Sequence, residues 1–428
     1  MRVLIMTYGS RGDVQPYVAL GKGLKEAGHD VAVATSERFR DFVGEHGLHY
    51  GYMNDRMLSL LDTDQGRDLI ENTNGLFQVV RRTFSMMKQV GPMQQALMEE
   101  SGKVADDFRP DQIVFHPKAY GGPHFAEKLG VPVVLATPIP MFVPTAESPN
   151  MGFPNLRLGA WYNRSTYRVV NLLMRVSAGK YVRKWREEHG LPRQKRFDLL
   201  HTTDGRPIPV LNAVSRHVMP QPADWPETAV MTGYWFIDSA GDWSPPTELT
   251  AFLKTGPPPV YIGFGSMVGR NPERLTRVAV DALKTAGTRG IIATGWGGLD
   301  PDQLPDSILK IDQAPHDWLF PQVAAVVHHG GAGTTAASLR VGKPSVVVPF
   351  FGDQPFWGRR LHQLGAASRP IPQKKLTAEN LAAAIQEVTR NERIVSAADQ
   401  LGRNIREENG IQQAVTLLES FASQQQPK

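Results

Sequence analysis

Cysteine is absent from all 428 residues, which excludes disulfides, thiolate metal sites and a cysteine nucleophile. It also fits a reducing compartment, and the cytoplasm is the expected location. No apolar run is long enough to span a bilayer. The opening run Val3-Leu4-Ile5-Met6 is too short for the core of a secretory signal. A strong charge of one sign is missing too. The net charge of +5 suits an anionic substrate or an anionic membrane surface without requiring either. There is no nucleic-acid module and no repeat of solenoid period. What remains is a chain of ordinary globular composition, 41% hydrophobic and 21% charged, too long for one core and suited to two α/β domains.

The most informative stretch is His328-His329-Gly330-Gly331-Ala332-Gly333-Thr334-Thr335. An apolar run, Ala324 to Val327, precedes it, and a helical segment follows as far as Gly342-Lys343-Pro344. A glycine turn between strand and helix aims free backbone N–H groups and the positive end of a helix dipole at one point. A diphosphate fits that point, and glycine lets it approach the amides. No Lys-Ser or Lys-Thr follows the glycines, so this is not a P-loop, and the spacing of a dinucleotide fingerprint is absent. The plainer reading is a turn that only packs a helix on a sheet.

Elsewhere strands alternate with helices. Val3–Met6, a loop from Thr7 to Gln15, a helix from about Pro16 to Ala27 and a strand Val31–Ala34 form a βαβ opening. Residues 51–101 are rich in methionine and aromatics, and 138–162 form a long irregular stretch. Residues 164–196 read as a basic helix, either a solvated face or a contact for an anionic membrane. The expected boundaries are a first domain over 1–236, a linker over 237–248, a second domain over 249–405 and a final helix and tail over 406–428.

The turn, together with Pro349-Phe350-Phe351-Gly352-Asp353-Gln354-Pro355 after the next strand, resembles the nucleotide-sugar signature of glycosyltransferase family 1. That resemblance implies the GT-B fold: two doubly wound, Rossmann-like α/β domains facing across a cleft, with the final helix returning to the first domain. It implies that His329 donates to a phosphate oxygen, that Gly331, Ala332, Gly333 and Thr334 offer amides, and that Ser266 adds a phosphate contact. Asp353 and Gln354 match the pair that reads the donor sugar's hydroxyls. Gln313 stands where plant members have a tryptophan against the base, while His316 and Trp318 lie near the nucleoside and Trp296 is a further candidate for its pocket. The loop Gly9-Ser10-Arg11-Gly12-Asp13 is similar to that of bacterial sterol- and glycopeptide-type enzymes, with Asp13 as general base. A helix-capping role is the alternative. The common histidine–aspartate dyad is absent in its usual order, so His116 and His124 are the candidates to assist, with His124 preferred.

Met53, Phe84, Met87, Met141 and Phe142 are the expected acceptor wall. The expected reaction is inverting, metal-independent O-glycosyl transfer from UDP-glucose, or a TDP-sugar, to a hydrophobic alcohol such as a sterol, terpenoid, polyketide or macrolide. No cofactor is required. A nucleotide-sugar 2-epimerase and a non-catalytic binding partner are the alternatives. Asp62-Thr63-Asp64, a D-x-D match, is set aside as chance.

Overall fold

The apolar runs become two all-parallel sheets in the computed structural model, which describes residues 1–61, 76–194, 198–238, 241, 243–265, 272–293 and 304–424; the side chains of 61, 76–90 and 272 are not described. The chain divides into two units, Met1–Ile237 with Asn409–Lys428, and Asp238–Glu408.

The first unit holds β1 (Arg2–Met6), β2 (Asp30–Ser36), β3 (His49–Met53), β4 (Gln112–Phe115), β5 (Val133–Thr137), β6 (Val210–Asn212) and β7 (Ala229–Met231), in the order β3-β2-β1-β4-β5-β6-β7. Both faces are covered. Along β1, Leu4 and Met6 enter one apolar cluster while Val3 and Ile5 enter another, as strand alternation dictates. The last helix, Gly410–Gln424, lays Ala414, Val415, Leu418 and Phe421 on the Val3–Ile5 face. The edge strand β3 was not foreseen in the sequence. Its half-exposed Tyr50 and Tyr52 give no continuous apolar run, and pairing with β2 makes it a strand.

The first helix begins at Arg11, not near Pro16, because Ser10 stands at its N-cap. Two long helices follow, Leu76–Phe108 and Gly159–Glu188. The irregular stretch before the second is pinned. Buried Asn150 donates to the Met141 carbonyl (2.6 Å) and its N–H is held by Thr166 Oγ1 (2.8 Å).

The second unit holds β8 (Val260–Gly263), β9 (Gly290–Ala293), β10 (Ile308–Ile311), β11 (Ala325–His328) and β12 (Ser345–Val347), in the order β10-β9-β8-β11-β12. A helix, Thr247–Lys254, already begins at the end of the segment read as a linker. In each sheet the winding reverses once, between β1 and β4 and between β8 and β11. Such switch points leave a crevice beyond the carboxyl ends of the strands, where ligands of doubly wound folds bind.

Candidate active site

Beyond β1 and β4, at the first switch point, three charged or titratable side chains meet. Asp13 is the third residue of the helix Arg11–Glu26, and its carboxylate reaches back to accept from the Ser10 N–H (2.8 Å) and Ser10 Oγ (3.1 Å). Gly9 makes this possible. Its φ of 145° is unfavourable for other residues, and a Cβ there would overlap the Asp13 carboxylate. From the loop after β4, Lys118 Nζ lies 2.8 Å from Asp13 Oδ2, and His116 Nε2 lies 3.5 Å from Oδ1. His116 Nδ1 accepts from the Lys118 N–H (3.1 Å), so the ring proton belongs on Nε2, toward Asp13. Tyr17 sets an edge-on ring 5.5 Å from His116 and donates to the Ala136 carbonyl.

The electrostatics follow from burial and pairing. Burial alone raises the Asp13 carboxyl, but Lys118, His116 and the Ser10 N–H outweigh it and hold the carboxyl below its ordinary range. Burial takes His116 down to about 3 against the pull of Asp13, so the imidazole is neutral at physiological pH. Asp13 therefore serves the helix end and presents an ionised carboxylate at the switch point.

His124 sits elsewhere in the hydrogen-bond pattern. It is fully buried in the helix Gly122–Leu129, and its Nδ1 meets Arg186 Nη1 at 3.2 Å. Arg186 in turn makes a two-pronged bond to Glu127 (2.7 and 2.9 Å) and donates to the Pro192 carbonyl. Burial lowers His124 to about 3. It is His116, the second-ranked histidine, that lies within ion-pair range of Asp13. Lys118 had no signal of its own in the sequence, although both it and His116 follow β4, the strand beside β1.

Of the expected acceptor wall, Met53 is 2% exposed and Phe142 7%, both inside one core cluster, with Met141 half-buried against it. Phe84 and Met87 lie outside the described side chains, and Asp62-Thr63-Asp64, Ser266 and Trp296 outside the described residues.

At the second switch point, β11 ends on buried His328, whose Nδ1 accepts from the Gly330 N–H (3.1 Å). Gly330 has φ 87°, and Gly331 caps the helix Ala332–Arg340. The first-turn amides of Ala332, Gly333 and Thr334 have no carbonyl within the helix to bond; Thr335 N–H is the first to close onto Gly331 (2.9 Å). The His329 ring lies between two glycines. A Cβ on Gly331 would overlap it, and one on Gly265, from the loop after β8, would touch it at 3.4 Å. Nδ1 of His329 is buried without a hydrogen-bond partner, and burial lowers the ring to about 4. A neutral imidazole beside unbonded amides can donate to a phosphate oxygen.

Asp353 and Gln354 open the helix Gln354–Gln363 after β12. Asp353 Oδ2 accepts from the Trp357 indole N–H (2.7 Å), and Gln354 Oε1 accepts from the amides of Phe350 (2.8 Å) and Phe351 (3.2 Å). His316 stacks on Phe320 with ring centres 4.2 Å apart, and Trp318 packs edge-on against Trp243.

Comparison with known proteins decides the family. Residues 3–146 match the glycosyltransferase family 28 N-terminal domain, and residues 291–418 the erythromycin biosynthesis protein CIII-like C-terminal domain. The chain is 35% identical over 419 residues to the sterol 3-beta-glucosyltransferase UGT80B1 of Arabidopsis thaliana, covering 97% of this chain and 67% of that protein. The chain belongs to the GT1-like glycosyltransferases of GT-B fold. A sterol 3-beta-glucosyltransferase of Aspergillus clavatus is 37% identical over 431 residues, covering 97% of this chain and 29% of that protein. This GT1-like chain thus spans less than a third of the fungal relative and about two thirds of the plant one. Among solved structures, the glycotransferase of kitacinnamycin superposes with a TM-score of 0.73 at 20% identity, covering 98% of each chain, which shows the shared GT-B fold. The epimerase alternative finds no support in these comparisons.

Proposed function

We propose that the chain transfers a hexose, glucose first, from a UDP-sugar to a hydroxyl of a hydrophobic acceptor, with a sterol as the leading class. The names of the plant and fungal relatives supply the sugar and the acceptor class. The observation that carries the chemistry is Asp13, an ionised carboxylate at the first switch point, held by Lys118 and faced by the Nε2–H of His116. Asp13 takes the acceptor's proton as its oxygen attacks the anomeric carbon. The bond from that carbon to the diphosphate breaks on the opposite face, and its electron pair leaves with the UDP, so the centre inverts. His116 orients the carboxylate. Lys118 keeps it ionised.

The leaving diphosphate is assigned to the amides of Ala332 to Thr334 and to His329, with Ser266 as a further contact. Asp353 and Gln354 are assigned to the sugar. His316 and Trp318 are assigned to the nucleoside, and the choice of UDP over TDP rests on the relatives' class. No cofactor is invoked. Because its acceptor class is dissolved in lipid, we also propose that the chain works at a membrane surface.

The test is transfer by purified protein, with UDP-glucose or TDP-glucose and a panel of sterols, flavonoids and macrolides, read by mass spectrometry beside Asp13→Asn. A hexose adduct lost in the variant supports the reading. An adduct retained at full rate removes Asp13 as base, and no adduct on any acceptor with donor binding intact returns the non-catalytic binding reading.

A further inference from the structure

The helix Gly159–Glu188 is apolar on two sides. One side, with Tyr167, Ala178, Tyr181, Val182 and Trp185, is buried in the first unit. The opposite side is not. At a 100° turn per residue, Trp161, Val169, Leu172 and Val176 fall within one quadrant, and Leu173 borders it. They are 77%, 41%, 45%, 49% and 59% exposed. Leu156 and Leu158, 53% and 62% exposed, extend the patch just before the helix. Among the described residues, large exposed apolar side chains outside 156–176 occur singly: Met1, Tyr52 and Val395. Concentration of this kind on one face marks an interaction surface rather than ordinary surface scatter.

The charges around the patch identify the partner. No acidic residue occurs between Glu147 and Glu187, while Arg157, Arg164, Arg168, Arg175, Lys180 and Arg183 all lie there. Arg164 is paired with Asp224, and Arg186 beyond them is buried on Glu127. Arg168 and Arg175 flank the exposed apolar quadrant on its polar side, with Arg168 exposed and Arg175 half-buried. A second copy of the chain docked by a two-fold axis would set these cations against one another. An anionic bilayer satisfies both features: acyl chains accept Trp161 and the leucines, and phosphate headgroups accept the arginines. The aromatic at one end suits the headgroup level.

We propose that this face, from Leu156 to Val176, docks the protein on an anionic lipid bilayer as an interfacial helix. Among the described residues no helix is long and apolar enough to cross a membrane. The inference rests on the glycosyl-transfer reading only for its purpose, delivery of a lipid-dissolved acceptor; the binding itself does not depend on it.

Flotation of the full chain with phosphatidylcholine vesicles, with and without phosphatidylserine, tests it. Flotation is expected with the anionic vesicles, and Leu172→Ser with Leu173→Ser should abolish it. Arg168→Gln and Arg175→Gln should each weaken it roughly five-fold and flatten its salt dependence. Circular dichroism should be unchanged, since these side chains point away from the core. Transfer to a detergent-solubilised acceptor should also be unchanged in the double leucine variant, which separates loss of docking from loss of catalysis. Absence of flotation with anionic vesicles overturns the proposal, as does equal flotation of the leucine variant. A concentration-dependent dimer abolished by the same leucine changes would overturn it in favour of self-association.

Discussion

At the scale of single residues, the site is a set of opposed effects, and Asp13 shows it best. Burial pushes its carboxyl up, while Lys118 and His116 push it down and win. Asp13→Asn removes the carboxylate proposed as proton acceptor while preserving shape. Transfer is expected to fall by about 10²–10⁴-fold with donor affinity retained, as steady-state kinetics and donor titration would show. Lys118→Met leaves burial less opposed, so the carboxyl rises and the acid limb of the pH–rate profile moves to higher pH. An unmoved limb would detach Lys118 from the reaction. Gly331 is a different kind of constraint, because the His329 ring occupies the space a Cβ would need. Gly331→Ala is expected to displace that ring and to lower kcat/KM by about 100-fold, with a smaller change in thermal midpoint.

At the scale of elements, two facts were legible and one was not. The glycine turn before the helix Ala332–Arg340 was readable because its chemistry is local: a strand, a left-handed glycine and a capped helix all lie between Ala325 and Arg340. The last helix was readable as a helix. What anchors it is tertiary, namely Leu418 in the core, the Leu418 carbonyl accepting from Gln112 Nε2 (3.1 Å), and Ile411 filling the space beside Gly23. Leu418→Ala should destabilise the first unit by about 2–5 kcal/mol, measured by urea unfolding, because a fully buried leucine leaves a cavity. A loss below about 1 kcal/mol would mean that this helix is not part of the cooperative core. The strand β3 was missed because pairing, not composition, makes it a strand.

At the scale of the whole molecule, buried histidines set the response to acid. His116, His124 and His328 are lowered to about 3 and His329 to about 4, chiefly by burial. Between those values and about 6.5 the unfolded chain binds protons that the folded chain does not, so folding stability rises with pH across that window. Asp13 acts in the same sense. Its depressed carboxyl contributes stability that is present above the ordinary carboxylate range and lost as pH falls through its folded value. Stability should therefore decline steadily below about pH 6.5, and denaturant midpoints taken across pH 4 to 8 would show it. A flat profile over that range would contradict the neutral, buried state of these rings.

The sequence by itself determined what a few neighbouring residues can encode. Apolar runs specified most of the strands and glycines the turn before the helix Ala332–Arg340, while the residues of the 328–335 and 349–355 stretches identified the family. Tertiary structure decided which side chains share a site. Lys118 reaches Asp13 across 105 residues because β4 lies beside β1, and His116 comes with it, whereas His124, eight residues further on, is committed to Arg186. The same physics placed Met53 in the core and left the far side of Gly159–Glu188 uncovered. Backbone preference and alternation act over one or two turns of chain. Strand order and burial bring distant residues together, and local chemistry carries no record of that until the sheet has formed.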